Sequence, residues 1–253
     1  MELNVTDSAR FDVARSNAIW ETYVNLLQHC GHVRYSEEFL TKKFHLGLLH
    51  GDLAYQLNLA VTRAPTIQYD AQHGYAGALL SEVTDELQSK INSQHLWCSD
   101  SEELRAAISS ALAALTVPVS QVLGGPWRLL TYKSWSTPSL ADVSGAEKDF
   151  GNTAWHTDGM PFGIFKIMIY TTALGPGLGG IELKADNGEV TALTTPAGAW
   201  LLFFNSHLWH RAVAPTIPNT TRRVIELTIC PWHQMVLTPV HLGLNARQPI
   251  YPI

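Results

Sequence analysis

From Trp127 onward the chain is cut into short apolar runs by Gly, Pro and Asn, and this punctuation constrains the fold more than any other feature. Trp127-Arg128-Leu129-Leu130-Thr131-Tyr132-Lys133-Ser134-Trp135 is aromatic and strand-like. Phe165 to Thr172, Gly180 to Leu183, Glu189 to Leu193, Ala199 to Phe204 and Arg223 to Cys230 are further strand candidates. Gly175-Pro176-Gly177-Leu178-Gly179-Gly180 and the stretch from Pro215 to Thr221 separate some of them. A succession of short strands with turn signals reads as a barrel or jelly roll. The glycine run lacks the Lys-Ser/Thr of a phosphate-cradling loop, so it reads as a turn between strands.

The preceding part of the chain has another texture. Phe11 to Leu27 carries apolar residues at helical spacing with no Pro or Gly, and Gly31 suits a C-cap. Ser36 is placed to cap a helix opening at Glu37, and a third helix is expected from Ala78 to Asn92. Ser99-Asp100-Ser101-Glu102-Glu103-Leu104 opens another, with a cap and acidic first-turn residues. It should end near Leu115, before Pro118. Helices first and strands second make the class α+β. A length of 253 residues suits one large domain.

Hydrophobic residues make up 46% of the chain and charged residues 15%, which excludes a disordered polyampholyte and a coiled coil. The net charge of -5 comes from 17 basic and 22 acidic side chains, so no nucleic-acid partner is expected. Met1 to Asp7 has neither a basic nor an apolar signal region, and no apolar run reaches membrane-spanning length. A soluble, cytoplasmic protein without a membrane partner is expected. Cys30, Cys98 and Cys230 form no CxxC pair and read as free thiols.

With so few charges, the 11 His and 8 Trp stand out. Histidine is neutral near pH 7 and is a common metal ligand. Trp155-His156-Thr157-Asp158-Gly159 is the most informative segment. On a strand, residues i and i+2 leave the same face, so His156 and Asp158 offer an imidazole and a carboxylate side by side. After the apolar run Trp200-Leu201-Leu202-Phe203-Phe204 comes His207-Leu208-Trp209-His210-Arg211-Ala212. Two His and one carboxylate on one face of a metal make the facial triad of non-haem Fe(II) oxygenases, which leaves positions open. His207 and His210 have opposite strand parity, so only one of them faces the metal on a regular strand.

Residues from about Trp127 to Thr228 resemble the Fe(II)/2-oxoglutarate-dependent dioxygenase superfamily. Its phytanoyl-CoA dioxygenase-like and taurine dioxygenase-like branches are nearest in texture. The resemblance rests on Trp155-His156-Thr157-Asp158, on Pro196-Ala197-Gly198-Ala199-Trp200 and on Leu208-Trp209-His210-Arg211-Ala212. It implies a double-stranded β-helix core, a cupin-like jelly roll, over residues 121–235. A mainly helical part over 1–120 would pack on that core, and a tail over 236–253 would follow, all within a single oxygenase domain spanning 1–253. The resemblance implies His156, Asp158 and His210 as catalytic metal ligands, Fe(II) as the metal, and 2-oxoglutarate and dioxygen as co-substrates. His207 then becomes a structural imidazole or one that supports the ligands.

The family also has an Arg about a dozen residues after the last ligand, bound to the far carboxylate of 2-oxoglutarate. Arg222 and Arg223 both stand there. Arg223 shares strand parity with Ile225 and Leu227, and an apolar inward face favours Arg223 slightly over Arg222. Lys166 is the weaker substitute. Halogenating relatives carry a small residue where Asp158 stands, so hydroxylation, desaturation or cyclisation is expected, with release of succinate and CO2. The substrate is expected to be a small molecule such as an amino acid or a natural-product intermediate. The alternative is a cupin-like metal-binding barrel without oxygenase activity, an isomerase or a ligand-binding protein, which needs the triad but no inward Arg. A third reading is a non-catalytic barrel in which His156 and His210 are merely structural.

Tyr132, Lys133, Glu182 and Glu226 are candidate substrate contacts, and Trp155 and Trp209 candidate walls of the site. His233 and His241 are candidate mouth residues, and Ser134 to Gly145 a candidate lid. His29, His32, His45, His50, His73 and His95 read as structural or surface residues.

Overall fold

The computed structural model describes residues 35–67, 80–81, 96–142, 155–158 and 163–231. The helix expected over 11–27, the tail, Cys30, His29, His32, His73, His95, His233, His241 and the end of the candidate lid lie outside these residues.

Three helices are described. Helix α1 (Glu37–Lys42) starts where expected: the Ser36 hydroxyl accepts from the Phe39 N–H, and Glu37 and Glu38 face the positive end of the helix. Helix α2 (Gly51–Arg63) was not expected from the sequence. It is capped by the His50 side chain, which accepts from Asp52 N, and it buries Ala54, Leu57, Ala60 and Val61. Helix α3 (Glu102–Leu123) is capped by Ser101 and closes on Gly124 at φ 72. It runs through Pro118 and past the stop expected near Leu115. An interior proline costs about 3 kcal/mol. Val119, Val122 and Leu123 lie beyond it and are almost fully buried. Each such burial is worth about 1.5–3 kcal/mol, so packing outweighs the lost backbone bond. By length and composition α3 is apolar enough to cross a membrane, but its stripe from Leu104 to Leu123 is buried in the protein core.

The strands form two antiparallel sheets. The larger contains β1 (Phe44–Leu48), β2 (Thr66–Ile67), β4 (Leu96–Cys98), β5 (Trp127–Pro138), β7 (Phe165–Tyr170), β10 (Ala199–Phe203) and β12 (Thr221–Pro231), in the order β1-β10-β7-β12-β5-β4-β2. The smaller contains β3 (Leu80–Ser81), β6 (His156–Thr157), β8 (Gly180–Lys184), β9 (Val190–Ala192) and β11 (Trp209–Val213), in the order β3-β6-β11-β8-β9. Among the described residues, the first part of the chain is not helix alone. It supplies strands to both sheets, and Leu80 and Ser81, expected inside a helix, pair with Thr157 and His156. Pairing across the tertiary structure overrides local helix preference there.

Two apolar clusters explain the layering. One lies between the sheets and joins Trp135, Met168, Tyr170, Leu201, Phe203 and Val224 to Ile181 and Leu183. The other covers the opposite face of the larger sheet, where Leu129, Ile167, Ile225 and Leu227 meet the buried residues of α1, α2 and α3. Strands β7, β10 and most of β12 are therefore buried on both faces. Within the helix-covered cluster, Phe39 stacks on Phe204 at 4.5 Å between centroids, and Phe165 meets Phe204 edge-on at 4.7 Å.

Gly198 sets how closely α2 approaches the sheet. Its φ is +89°, and a Cβ there would stand 2.5 Å from the Ala54 Cβ. Gly198→Ala therefore meets both a left-handed backbone and an unyielding helix. It should destabilise the fold by about 2–3 kcal/mol, read as a lower urea midpoint at unchanged m-value.

Candidate metal centre

Strand β6 pairs with β11 at one position, His156 opposite His210. Directly opposed side chains leave the same face, and the two imidazole centroids lie 4.4 Å apart. Asp158 follows two residues after His156, and its N–H donates to the Asn205 carbonyl at 2.7 Å. This bond ties the His-x-Asp segment to the turn that leads into β11. Asp158 Oδ1 then lies 3.9 Å from both His156 Nε2 and His210 Nε2. One ligand atom from each of the three residues lies within 4.8 Å of the others.

The ligand atoms are chemically prepared. His210 Nδ1 is 2.8 Å from the Leu208 carbonyl. A carbonyl can only accept, so Nδ1 carries the proton and Nε2 keeps a lone pair for a metal. Burial, with the adjacent His156, lowers the His210 pKa to about 3, so the ring is neutral. For Asp158, burial acts to raise the pKa, but the neighbouring Lys166, His210 and His156 outweigh it and hold the carboxyl well below its usual range. Two imidazoles and a carboxylate on one face are a donor set that fits Fe(II). His207 lies in the turn before β11, with Nδ1 2.7 Å from the Ser206 hydroxyl, and is not part of the cluster.

The inner face of the larger sheet carries the other polar groups. Glu226 sits opposite Lys133, and Arg222 opposite Thr137. Arg222 is buried; Nη1 donates to the carbonyls of Gly180 and Val213 at 2.7 and 3.2 Å, and Nη2 donates to Thr137 Oγ1 at 3.4 Å. Its Nε has no hydrogen-bond partner among the described residues, and no carboxylate among them pairs with the guanidinium. Arg223 has the opposite parity and lies on the helix-covered face with Ile225 and Leu227. The preference for Arg223 as the inward residue is thus corrected. The apolar face of β12 packs on helices, and the face bearing Arg222, Val224 and Glu226 is the interior one.

Lys166, expected as a substitute for that arginine, instead pairs with Asp158 Oδ2 at 2.6 Å and with Glu226 Oε2 at 3.4 Å. Lys133 lies 3.3 Å from the other Glu226 oxygen, and burial lowers its pKa to about 8. Lys133 and Glu226 therefore face the interior as expected of substrate contacts. Tyr132 does not: its hydroxyl donates to Asp100 at 2.7 Å, on the helix-covered side. Glu182 pairs with Arg211 at 2.6 Å. The tryptophans before the ligands are not walls of the site either. Trp155 lies under Lys184 at 4.5 Å and Arg211 at 4.7 Å, and Trp209 under Lys184 at 5.6 Å. Trp209 and Arg211 flank His210 on the strand, so their side chains leave the opposite face. The interior aromatics are Trp135, Tyr170 and Phe203. Asn205, fully buried against Asp158, was not expected; its position just after an apolar strand is the only sequence signal for it.

No family model matches the sequence, and no curated protein matches it. Solved structures do match its fold. The AviO1 structure from Streptomyces viridochromogenes is 15% identical over 79% of this chain and 94% of its own, with a TM-score of 0.52. EctD from S. alaskensis, solved with 2-oxoglutarate and 5-hydroxyectoine, is 15% identical over 79% of each chain, with a TM-score of 0.53. HygX from Streptomyces hygroscopicus, solved with nickel and 2-oxoglutarate, is 14% identical over 79% of this chain and 89% of its own, with a TM-score of 0.50. The α+β double-stranded β-helix is the fold shared with these structures.

Titration of the chelator-treated protein with Ni(II) should give one site. His210→Ala should weaken binding by roughly 100-fold or more through loss of a ligand, while His207→Gln should leave it within a few-fold.

Proposed function

We propose that this chain is a non-haem Fe(II)- and 2-oxoglutarate-dependent oxygenase that oxidises a small-molecule substrate. The observation that carries the reading is the pairing of the His156-Asp158-His210 donor set with a buried Arg222, in the same interior, that meets no carboxylate among the described residues. A guanidinium buried with no carboxylate partner is a costly arrangement unless an anion completes it. The terminal carboxylate of 2-oxoglutarate is such an anion, and a guanidinium can hold it bidentately. Thr137 Oγ1 orients the guanidinium from the neighbouring strand.

His156, Asp158 and His210 would hold the iron. Bound iron supplies the activation of dioxygen coupled to oxidative decarboxylation of 2-oxoglutarate to succinate and CO2. The chain's own part is binding, orientation and exclusion of water. Trp135, Met168, Leu201, Phe203 and Val224 provide an apolar interior around the few charges. The 2-oxoglutarate held by HygX and EctD, and the 5-hydroxyectoine in EctD, support a co-substrate and a substrate of this kind. A cupin-like barrel without oxygenase activity needs the triad but has no use for an inward arginine, and Arg222 counts against it.

Succinate release from 2-oxoglutarate, dependent on added Fe(II), tests the reading, with a substrate screen scored by stimulated release. Arg222→Met should raise the KM for 2-oxoglutarate by roughly tenfold or more. Arg223→Met should leave it within about twofold. No iron-dependent succinate from the wild-type protein with any substrate, or an unchanged KM in Arg222→Met, would count against the assignment.

A further inference from the structure

The two oxygens of Asp158 have different neighbours. Oδ1 points to the cluster, 3.9 Å from each histidine Nε2. Oδ2 receives Lys166 Nζ at 2.6 Å and Asn205 Nδ2 at 3.1 Å. Both donors are buried: Lys166 is 6% exposed and Asn205 0%. The amide orientation follows from the chemistry, because only the NH2 end of Asn205 can face a carboxylate oxygen favourably. Asn205 grips the residue twice, since its carbonyl also accepts the Asp158 N–H at 2.7 Å. With Oδ2 accepting from two buried donors, Oδ1 is the oxygen left to offer to the cluster.

Residues in or just past four strands build the hold. Lys166 begins the inner face of β7, opposite Phe203 of β10, and Asn205 lies just past the end of β10. Lys166 in turn contacts Glu226 of β12 at 3.4 Å, and Glu226 contacts Lys133 of β5 at 3.3 Å. Two lysines and two carboxylates balance, so the chain of charges is internally neutral without a metal. A buried lysine beside a metal ligand would otherwise leave an uncompensated charge.

We infer that Lys166 and Asn205 are positioning residues that occupy the outer oxygen of Asp158 and so make it a single-oxygen metal ligand. The inference rests on the metal centre described above. Its consequence for function is a count of positions. In six-coordination a triad of single donors leaves three sites, enough for a chelating co-substrate and dioxygen. A carboxylate binding through both oxygens would take one of them. The arrangement also separates Lys166 from the 2-oxoglutarate role expected of it, since its charge is committed to Asp158 and Glu226.

The test uses the chelator-treated full chain, with Ni(II) affinity from calorimetry and the ligand-field absorption of bound Co(II) as readouts. Loss of an outer-shell partner typically costs 10–100-fold in metal affinity. Lys166→Met and Asn205→Ala should each weaken Ni(II) binding by roughly that factor and change the Co(II) spectrum. Leu57→Ala, a cavity variant in the helix-covered core, should lower stability yet leave both readouts unchanged. Equal affinity and spectra in wild type, Lys166→Met and Asn205→Ala would overturn the inference. So would tighter binding in Lys166→Met, which would make Lys166 only a repelling cation. An effect in one variant alone would overturn the paired hold, and an equal effect in Leu57→Ala would reduce it to general loosening. If Lys166→Met fails to fold, Asn205→Ala, which removes no charge, decides alone. His210→Ala separates the two levels: should it fail to weaken Ni(II), the metal centre falls, not merely the positioning.

Discussion

A single antiparallel contact, His156 against His210, organises the candidate site. Strand β6 has only two residues, so it brings little pairing energy of its own. It is held by β11 on one side and β3 on the other, and by the bond from Asp158 N to Asn205 O. Trp155, packed under Lys184 and Arg211, fastens its opposite face. Two ligands far apart in sequence become neighbours because register on a pleated sheet is specified to one residue. A slip of β6 by one residue would turn His156 and Asp158 to the other face, away from His210.

Burial of charge is the second constraint. Asp158, Lys166, Glu226 and Arg222 are all nearly inaccessible. Asp158, Lys166 and Glu226 are linked through contacts of 2.6 and 3.4 Å, and Lys133, 3.3 Å from Glu226, balances the second carboxylate. Arg222 donates to two carbonyls and a hydroxyl, none of which carries charge, and its Nε has no hydrogen-bond partner among the described residues. The asymmetry assigns different work to similar groups. In the proposed reading the acid-paired lysine holds a ligand, and the arginine, which meets no carboxylate among the described residues, suits an incoming anion.

Much of this was legible in the sequence. The strand runs of the second half, the cap at Ser36 and the candidate ligands His156 and Asp158 follow from local patterns that survive folding, while the preference for His210 over His207 came from the family resemblance. Helix α2 was hidden because its cap is a histidine and its start a glycine. The end of α3 was misplaced because the burial of Val119, Val122 and Leu123 outweighs the local cost of Pro118. The strand at Leu80–Ser81 is a product of pairing with β6, which no local window contains.

The sequence by itself determined which chemistry was available: two imidazoles, a carboxylate and a pair of adjacent arginines, with strand spacing that sorts each onto one of two faces. Only the tertiary structure decided which face is which. An apolar stripe marks the interior when the other side of a strand meets water, but β12 is buried on both sides. Ile225 and Leu227 pack on helices, so their stripe points away from the site, and Arg222 rather than Arg223 lies within. The grip of Lys166 and Asn205 on Asp158 is of the same kind. It joins residues from separate strands whose meeting depends on how two sheets close over a shared interior.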